Sequence, residues 1–183
     1  MKNGVTLIEL MVAVALLGVI LLTAATLDVA ARKFFNASDR VAEMQCEVSP
    51  VLLRIKRDIN QVTGSINDSG IFIEAPPVDI VTRLRFRRSD ATWGAYVKNG
   101  TTIEYYSQAP VPPGWVGSPL LTEIVSAGVT DFSPTFVTGS TATVKVSITS
   151  CYDASGMLGL CGSNNNPQIT LATSAHALSQ SAR

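Results

Sequence analysis

The stretch GVTLIELMVAVALLGVI, residues 4 to 20, places one carboxylate, Glu9, at the start of an otherwise uncharged and mostly apolar segment. The uncharged run continues from Leu10 to Leu27. As a helix with a rise of ~1.5 Å per residue, this run is about 27 Å long, close to the ~30 Å of bilayer hydrocarbon. The sequence therefore predicts one membrane-spanning helix with an acidic side chain near its N-terminal end.

The composition agrees with an apolar segment outside a globular core. Of the 183 residues, 46% are hydrophobic and only 15% are charged, which is a high ratio for a soluble protein. The length allows one globular domain with an appended segment. The 14 basic and 14 acidic residues give a net charge of zero, so nothing in the charge balance indicates nucleic-acid binding.

A second helical pattern follows the apolar run and predicts an amphipathic helix over residues 31–63. Its apolar residues recur at steps of three or four, which keeps them on one helix face. Pro50 predicts a kink, or a break with Ser49 capping a new helix, and Gly64 marks the expected end. The apolar positions are Val41, Met44, Val48, Leu52, Ile55, Ile59 and Val62.

From residue 64 onward, short alternating runs broken by Gly, Pro and Asn indicate an antiparallel sheet of about four to six strands. Alternation is clearest from Thr141 to Thr149, where the even-numbered residues from 142 to 148 are apolar. Asn99-Gly100 predicts a hairpin with a type I′ turn. Weaker strand signals lie at 80–86, 132–136 and 169–173.

The predicted fold class is therefore α+β. One long N-terminal helix begins with a protruding apolar half over residues 5–30. Its amphipathic half packs on the antiparallel sheet that residues 64–183 form. A helix with a bare apolar half needs a membrane or other helices around it.

The cysteines favour a disulfide rather than a metal site. Cys151 and Cys161 flank the loop CYDASGMLGLC, and their spacing predicts a loop disulfide and hence an oxidising compartment. Cys46 has no evident partner. With His176 as the single histidine, a zinc site is disfavoured, and the sequence predicts no metal and no cofactor.

The N-terminus resembles a known processing signal. A short leader, MKNG, ends in Gly4 and precedes VTLIE and the apolar run, which is similar to the class III signal of type IV pilins and type II secretion pseudopilins. The family order is Gly, Phe, Thr, Leu, Ile, Glu. Gly4 and residues 6 to 9 match it, and Val5 stands where phenylalanine is usual.

The resemblance implies three roles. A prepilin peptidase cuts after Gly4 and so removes leader residues 1–4, the new amino group on Val5 is N-methylated, and Glu9 is an assembly contact. A carboxylate at the bilayer centre costs about 2.5 to 3.5 kcal/mol, less near an end. The free amino terminus of an adjacent subunit can offset that cost, so docking is favoured.

A finer resemblance points to a minor subunit. LLRIKRDINQVTGS is similar to the helix end of J-type minor pseudopilins and W-type minor pilins, and Thr26 stands where major subunits carry proline. This implies a structural protein, not an enzyme, that crosses the inner membrane once and holds residues 64–183 in the periplasm. Its expected partners are other pilin or pseudopilin subunits, the prepilin peptidase and the inner membrane. It would join a type IV pilus or its tip or, alternatively, a type II secretion pseudopilus.

Two rival classes remain open at this point. An ordinary secretory signal, cleaved near Thr23-Ala24-Ala25, would release a soluble periplasmic binding domain. A membrane-tethered enzyme would need converging catalytic groups, but the sequence contains no Gly-x-Ser-x-Gly, HExxH or phosphate-loop motif, and His176 stands alone.

Three weaker binding patterns are also present. Tyr105 and Tyr106, with Trp93 and Trp115, are aromatic residues that could bind a sugar. Asp153 and residues 164–166 supply oxygen atoms for calcium. Alternate residues Arg83, Arg85 and Arg87 predict a solvated strand face or a docking face for an acidic subunit.

Overall fold

A computed structural model describes residues 6–64, 70–74, 81–112, 120–163 and 165–177, except the side chains of Leu121 and Thr122. One helix, α1 (Leu7–Asn60), precedes the strands, which confirms the α+β class. The strands are β1 (Ile71–Glu74), β2 (Arg83–Arg87), β3 (Trp93–Asn99), β4 (Thr102–Ala109), β5 (Leu120–Ser126), β6 (Val129–Phe136), β7 (Thr143–Cys151) and β8 (Gln168–His176).

The described strands form two antiparallel sheets instead of the one predicted. The first has the order β1-β2-β3-β4-β5 and the second β6-β7-β8. The division falls at Gly128, whose φ of 69° turns the chain between β5 and β6. A Cβ there would lie 2.8 Å from the Cys151 carbonyl oxygen, so glycine lets the chain approach β7 closely.

Helix α1 is continuous across the predicted break. Pro50 lies inside it, so the alternative of a break with a new helix beginning at Pro50 is wrong, while the kink at Pro50 stays a prediction. The helix ends at Asn60, four residues before Gly64, because the chain then pairs with β2. The N–H of Thr63 donates to the Arg87 carbonyl at 3.1 Å instead of continuing the helix.

The apolar stripe of α1 is confirmed. Val48, Ile55 and Ile59 are fully buried, Met44 and Leu52 nearly so, while Val41 is half-buried. Burying a side chain of this size contributes about 1.5 to 3 kcal/mol. The stripe belongs to one core with both sheets, whose members include Leu84, Phe86, Tyr96, Ile103, Phe132, Val144, Val146 and Ile148.

The hairpin between β3 and β4 exists, but its turn lies one residue later than predicted. Asn99 pairs with Thr102, so Gly100 and Thr101 are the central residues. Only Gly100 has a positive φ, 56°, which is the pattern of a type II′ turn and not of type I′.

By its internal contacts the chain divides into Met1–Asp39 and Arg40–Arg183. In the first unit, the side chains of residues 6–36 are all exposed. Among the described residues α1 is the one helix that is long and apolar enough, by length and composition, to cross a membrane.

Candidate assembly site at the start of the helix

Thr6 and Glu9 form a reciprocal pair at the first turn of α1. The Thr6 N–H donates to Glu9 Oε2 at 2.9 Å, and the Thr6 hydroxyl donates to the same oxygen at 3.0 Å. In return, the Glu9 N–H donates to Thr6 Oγ1 at 3.3 Å. Thr6 is the N-cap and Glu9 the third helical residue, so the pair is a capping box.

The capping box gives Glu9 a local role that was not predicted from the sequence. The first N–H groups of a helix lack intrahelical acceptors, and a negative charge is favourable near the positive end of the helix dipole. The signal was present in the sequence, since Thr-Leu-Ile-Glu over residues 6–9 has the Thr-x-x-Glu spacing of a capping box. Glu9 therefore orders the helix start within its own chain.

The carboxylate of Glu9 uses one oxygen for this cap. Both donors from Thr6 reach Oε2. Among the described residues no hydrogen bond reaches Oε1, so that oxygen has room for a donor from another molecule. Gly4 and Val5 lie outside the described residues, so cleavage and methylation there stay predictions.

A disulfide joins Cys151 and Cys161, with their Cα atoms 5.7 Å apart. Asn166, which is fully buried, organises the loop between them. Its Oδ1 accepts the Asp153 N–H at 2.8 Å, and its Nδ2 donates to the carbonyls of Asp153 at 2.9 Å and Gly159 at 2.8 Å. Cys46 is exposed and unpaired.

The calcium hypothesis finds no support in the disulfide loop. Oδ1 of Asp153 accepts the N–H and hydroxyl of Ser155, and Oδ2 accepts the Leu158 N–H at 2.7 Å. The Ser155 hydroxyl contributes most to lowering the pKa of Asp153. Asn164 lies outside the described residues, and among those described no three His, Cys, Asp or Glu side chains are grouped to hold a metal.

Arg40 of α1 fixes the disulfide loop to the helix within the second unit. Its guanidinium donates to the Asn165 carbonyl and lies 5.0 Å from the ring centroid of Tyr152. Two contacts of different kinds therefore hold the loop at the side of α1.

The arginines of β2 do not form the predicted solvated face. Arg85 is fully buried, and Arg83 has a side chain only 12% exposed. Both donate to Glu74 on β1, Arg83 at 3.0 Å to Oε2 and Arg85 to Oε1. Arg85 also donates to the Pro110 carbonyl at 3.1 Å. The prediction of a solvated or docking face is wrong, because β1 supplies the acidic partner from within the chain.

The predicted sugar-binding aromatics are not brought together as one exposed surface. Tyr105 is buried beneath Arg54, whose guanidinium lies 4.3 Å from the ring centroid. Tyr106 is half-buried, and burial with its hydrogen bond to Glu104 raises its pKa to about 12. Trp93 is half-buried, and Trp115 lies outside the described residues.

His176, the one candidate base of the enzyme hypothesis, lies at the end of β8. Its Nδ1 is 2.8 Å from the Thr143 hydroxyl, and its backbone N–H donates to Asn60 Oδ1 at 3.3 Å. These contacts tie the end of β8 to β7 and to the end of α1. They give the residue a structural role.

Comparison with known proteins identifies the N-terminal region. Residues 1–25 match the family model described as the prokaryotic N-terminal methylation motif. Neither a curated protein nor a solved structure matches the chain significantly. In the described residues, the methylation motif covers the start of a long helix whose N-terminal part is apolar, and antiparallel sheets follow that helix. Residues 1–25 therefore carry the prokaryotic N-terminal methylation motif, and this motif together with the architecture supports a relation to the type IV pilins and pseudopilins.

Proposed function

We propose that this protein is a structural subunit that joins a type IV pilus through its N-terminal helix, as a minor subunit at or near the tip. The observation that carries the proposal is the methylation motif over residues 1–25, with Glu9 at the start of an exposed apolar helix. The chain is inserted once in the inner membrane, with the sheets in the periplasm. The disulfide supports an oxidising compartment.

In this proposal the two oxygens of Glu9 have separate tasks. Oε2 caps the helix of its own chain, and Oε1 accepts the amino terminus of an adjacent subunit. The charge pair offsets the cost of a carboxylate in lipid, which is about 2.5 to 3.5 kcal/mol at the bilayer centre and smaller near an end. Assembly is thereby favoured over the solitary state in the bilayer.

Two substitutions at Glu9 separate the two tasks. Glu9→Ala removes both the cap and the charge, whereas Glu9→Gln removes the charge but keeps an acceptor that suits a capping box. We expect both variants to insert in the membrane and both to be missing from sheared filaments. The measurement is an immunoblot of the sheared fraction against the membrane fraction, with the wild type alongside.

The pattern of incorporation decides between the two roles. If Glu9→Gln enters filaments normally and Glu9→Ala does not, the cap is the essential role and the charge pair is rejected. Normal incorporation of both variants would reject the assembly role of Glu9 altogether.

The processing step has an independent test. Amino-terminal sequencing of the mature chain should begin at Val5, with a methylated amino group. A first residue near Thr26 would instead indicate ordinary secretory cleavage and a released periplasmic domain.

The minor-subunit assignment rests on the resemblance of residues 52–65 to W-type minor pilins and J-type minor pseudopilins, and on Thr26 in place of proline. A J-type role in a type II secretion pseudopilus is the alternative. Affinity purification of the cross-linked full-length chain should recover companion minor pilins. Recovery of secretion pseudopilins instead would favour the alternative.

A further inference from the structure

Among the described strands, none pairs with the outer edge of β8, although proteins usually protect such edges. An edge strand exposes unpaired N–H and C=O groups that can pair with another strand, and proteins protect such edges with short length, charge, proline or bulges. The two sheets have four edge strands, β1, β5, β6 and β8. The protection differs among these four.

Three of the edges carry protective features. β1 has only four residues and ends in Glu74, which binds the arginines of β2. β5 pairs with β4 through three register irregularities and holds Glu123 against Arg54. β6 contains Pro134 and Asp131 and has an irregularity at its start.

β8 has none of these features. It is nine residues long, QITLATSAH, without a proline or an acidic or basic residue other than its terminal His176. It pairs with β7 at all nine positions with no register shift. Among the described residues, the bond from the His176 N–H to Asn60 Oδ1 covers one end of the edge, and no strand pairs with the rest.

The direction of the open groups follows from the ladder. The Ala177 N–H donates to the Ala142 carbonyl, so odd-numbered residues of β8 face β7, since antiparallel bonding alternates along the strand. Thr170, Ala172 and Ser174 therefore direct their N–H and C=O groups outward. Their side chains are small and exposed.

The sequence of β8 is complementary to itself around Ala172. In an antiparallel pair of two copies centred there, Thr170 of each copy lies opposite Ser174 of the other. Ala172 then faces its own equivalent. Cross-strand hydroxyl pairs are favourable, and like charges, which would oppose the pairing, are absent from these positions.

We propose that two copies of this chain pair through their β8 strands, antiparallel and centred on Ala172, to join their three-stranded sheets into one of six strands. The contact is independent of Glu9 and of filament assembly. The partner is a second copy of this chain, because the complementarity about Ala172 belongs to β8 itself.

Cysteine cross-linking of the full-length chain in membrane vesicles tests the pairing. In a Cys46→Ser background, Ala172→Cys should form a disulfide-linked dimer with a mild oxidant. Directly opposed, hydrogen-bonded residues have Cα atoms about 5.5 Å apart, which a disulfide can bridge. The matched control is Ser147→Cys, which pairs with Ala172 from β7. Two copies of residue 147 would be about 15 Å apart, three strand spacings, so this variant should form no dimer.

A charged residue at the centre gives the second measurement. Ala172→Lys should leave the ladder with β7 intact because the side chain at this position is exposed, and it should lower the dimer fraction at least tenfold in detergent-solubilised chain. No dimer from Ala172→Cys, equal dimer from Ser147→Cys, or an unchanged fraction with Ala172→Lys would each overturn the proposal. Cross-linking of Ala172→Cys to a different protein would also overturn it.

Discussion

At the scale of single residues, Glu74 links the two arginines of the neighbouring strand. Arg85 is fully buried, and Arg83 and Glu74 are half-buried, with side chains 12% and 13% exposed. Burial alone would raise the pKa of Glu74, but the hydrogen bonds from Arg85 and Arg83 hold it below its ordinary value of 4.5. Since the folded pKa is depressed, this group stabilises the protein above pH 4.5, and the contribution is lost as pH falls through the folded pKa.

We expect Glu74→Gln to lower the free energy of unfolding by about 3 kcal/mol at neutral pH, because a buried guanidinium is left without its counter-charge. Below pH 4.5 the free energy of unfolding of the variant should also fall less steeply than that of the wild type, because the variant has no Glu74 carboxylate to protonate. Urea denaturation followed by circular dichroism over pH 3 to 7 measures both effects.

Glu123→Gln is the matched control for that substitution. Its pair with Arg54 is more exposed, with side chains 44% and 30% accessible, so its loss should cost under about 1 kcal/mol. Equal effects of the two substitutions would contradict the importance of burial at Glu74.

These residues also show what local sequence can reveal. The capping box is readable from residues 6–9 alone, because its partners lie three positions apart. The burial of Arg85 is not readable in this way. It depends on Glu74 of another strand and on the Pro110 carbonyl, and alternation along β2 alone indicated a solvated face.

At the scale of elements, the amphipathic part of α1 joins the two sheets into one core. Ile55 is fully buried there, while Leu53, two residues away, is 66% exposed. We expect Ile55→Ala to lower the free energy of unfolding by about 2 to 5 kcal/mol through lost burial and the cavity it leaves.

Leu53→Ala is the corresponding control, since it removes a similar side chain from an exposed position of the same helix. Its effect should stay within about 0.5 kcal/mol. Denaturation midpoints of the two variants provide the comparison. Similar losses of stability in the two variants would mean that burial of the apolar stripe does not stabilise the fold.

Periodicity predicted this element because helical spacing depends on neighbours three or four residues apart. The strand β7 was predicted for the same reason, at a period of two. The division into two sheets was missed, since it depends on the close approach of Gly128 to Cys151, which are far apart in sequence. The helix end was missed likewise, because the pairing of Thr63 with Arg87 is not local.

At the scale of the whole molecule, labelling of Cys46 can show on which side of the membrane the residues after the apolar run lie. Its thiol is exposed, whereas Cys151 and Cys161 are joined to each other. We expect a membrane-impermeant maleimide to label the full-length chain in intact spheroplasts at Cys46, because the proposed topology places residues after the apolar run outside the cytoplasm. Mass spectrometry of the labelled peptide identifies the site.

The Cys46→Ser variant should take up no label until a reductant is added, after which the exposed Cys161 should react. Labelling that requires lysis of the spheroplasts would reverse the proposed orientation. Labelling of Cys161 without reductant would contradict the loop disulfide.

The unequal protection of the four sheet edges sets an upper limit on self-association. Unlimited growth of a sheet by edge pairing requires two unprotected edges per molecule, and among the described edges of this fold only β8 lacks protective features. Pairing of two β8 strands uses the outward N–H and C=O groups of both copies. It leaves no unpaired edge at that side for a third chain. As the concentration of the chain is raised, association through β8 should therefore saturate at two chains, and amyloid-like fibrils should not form through this contact.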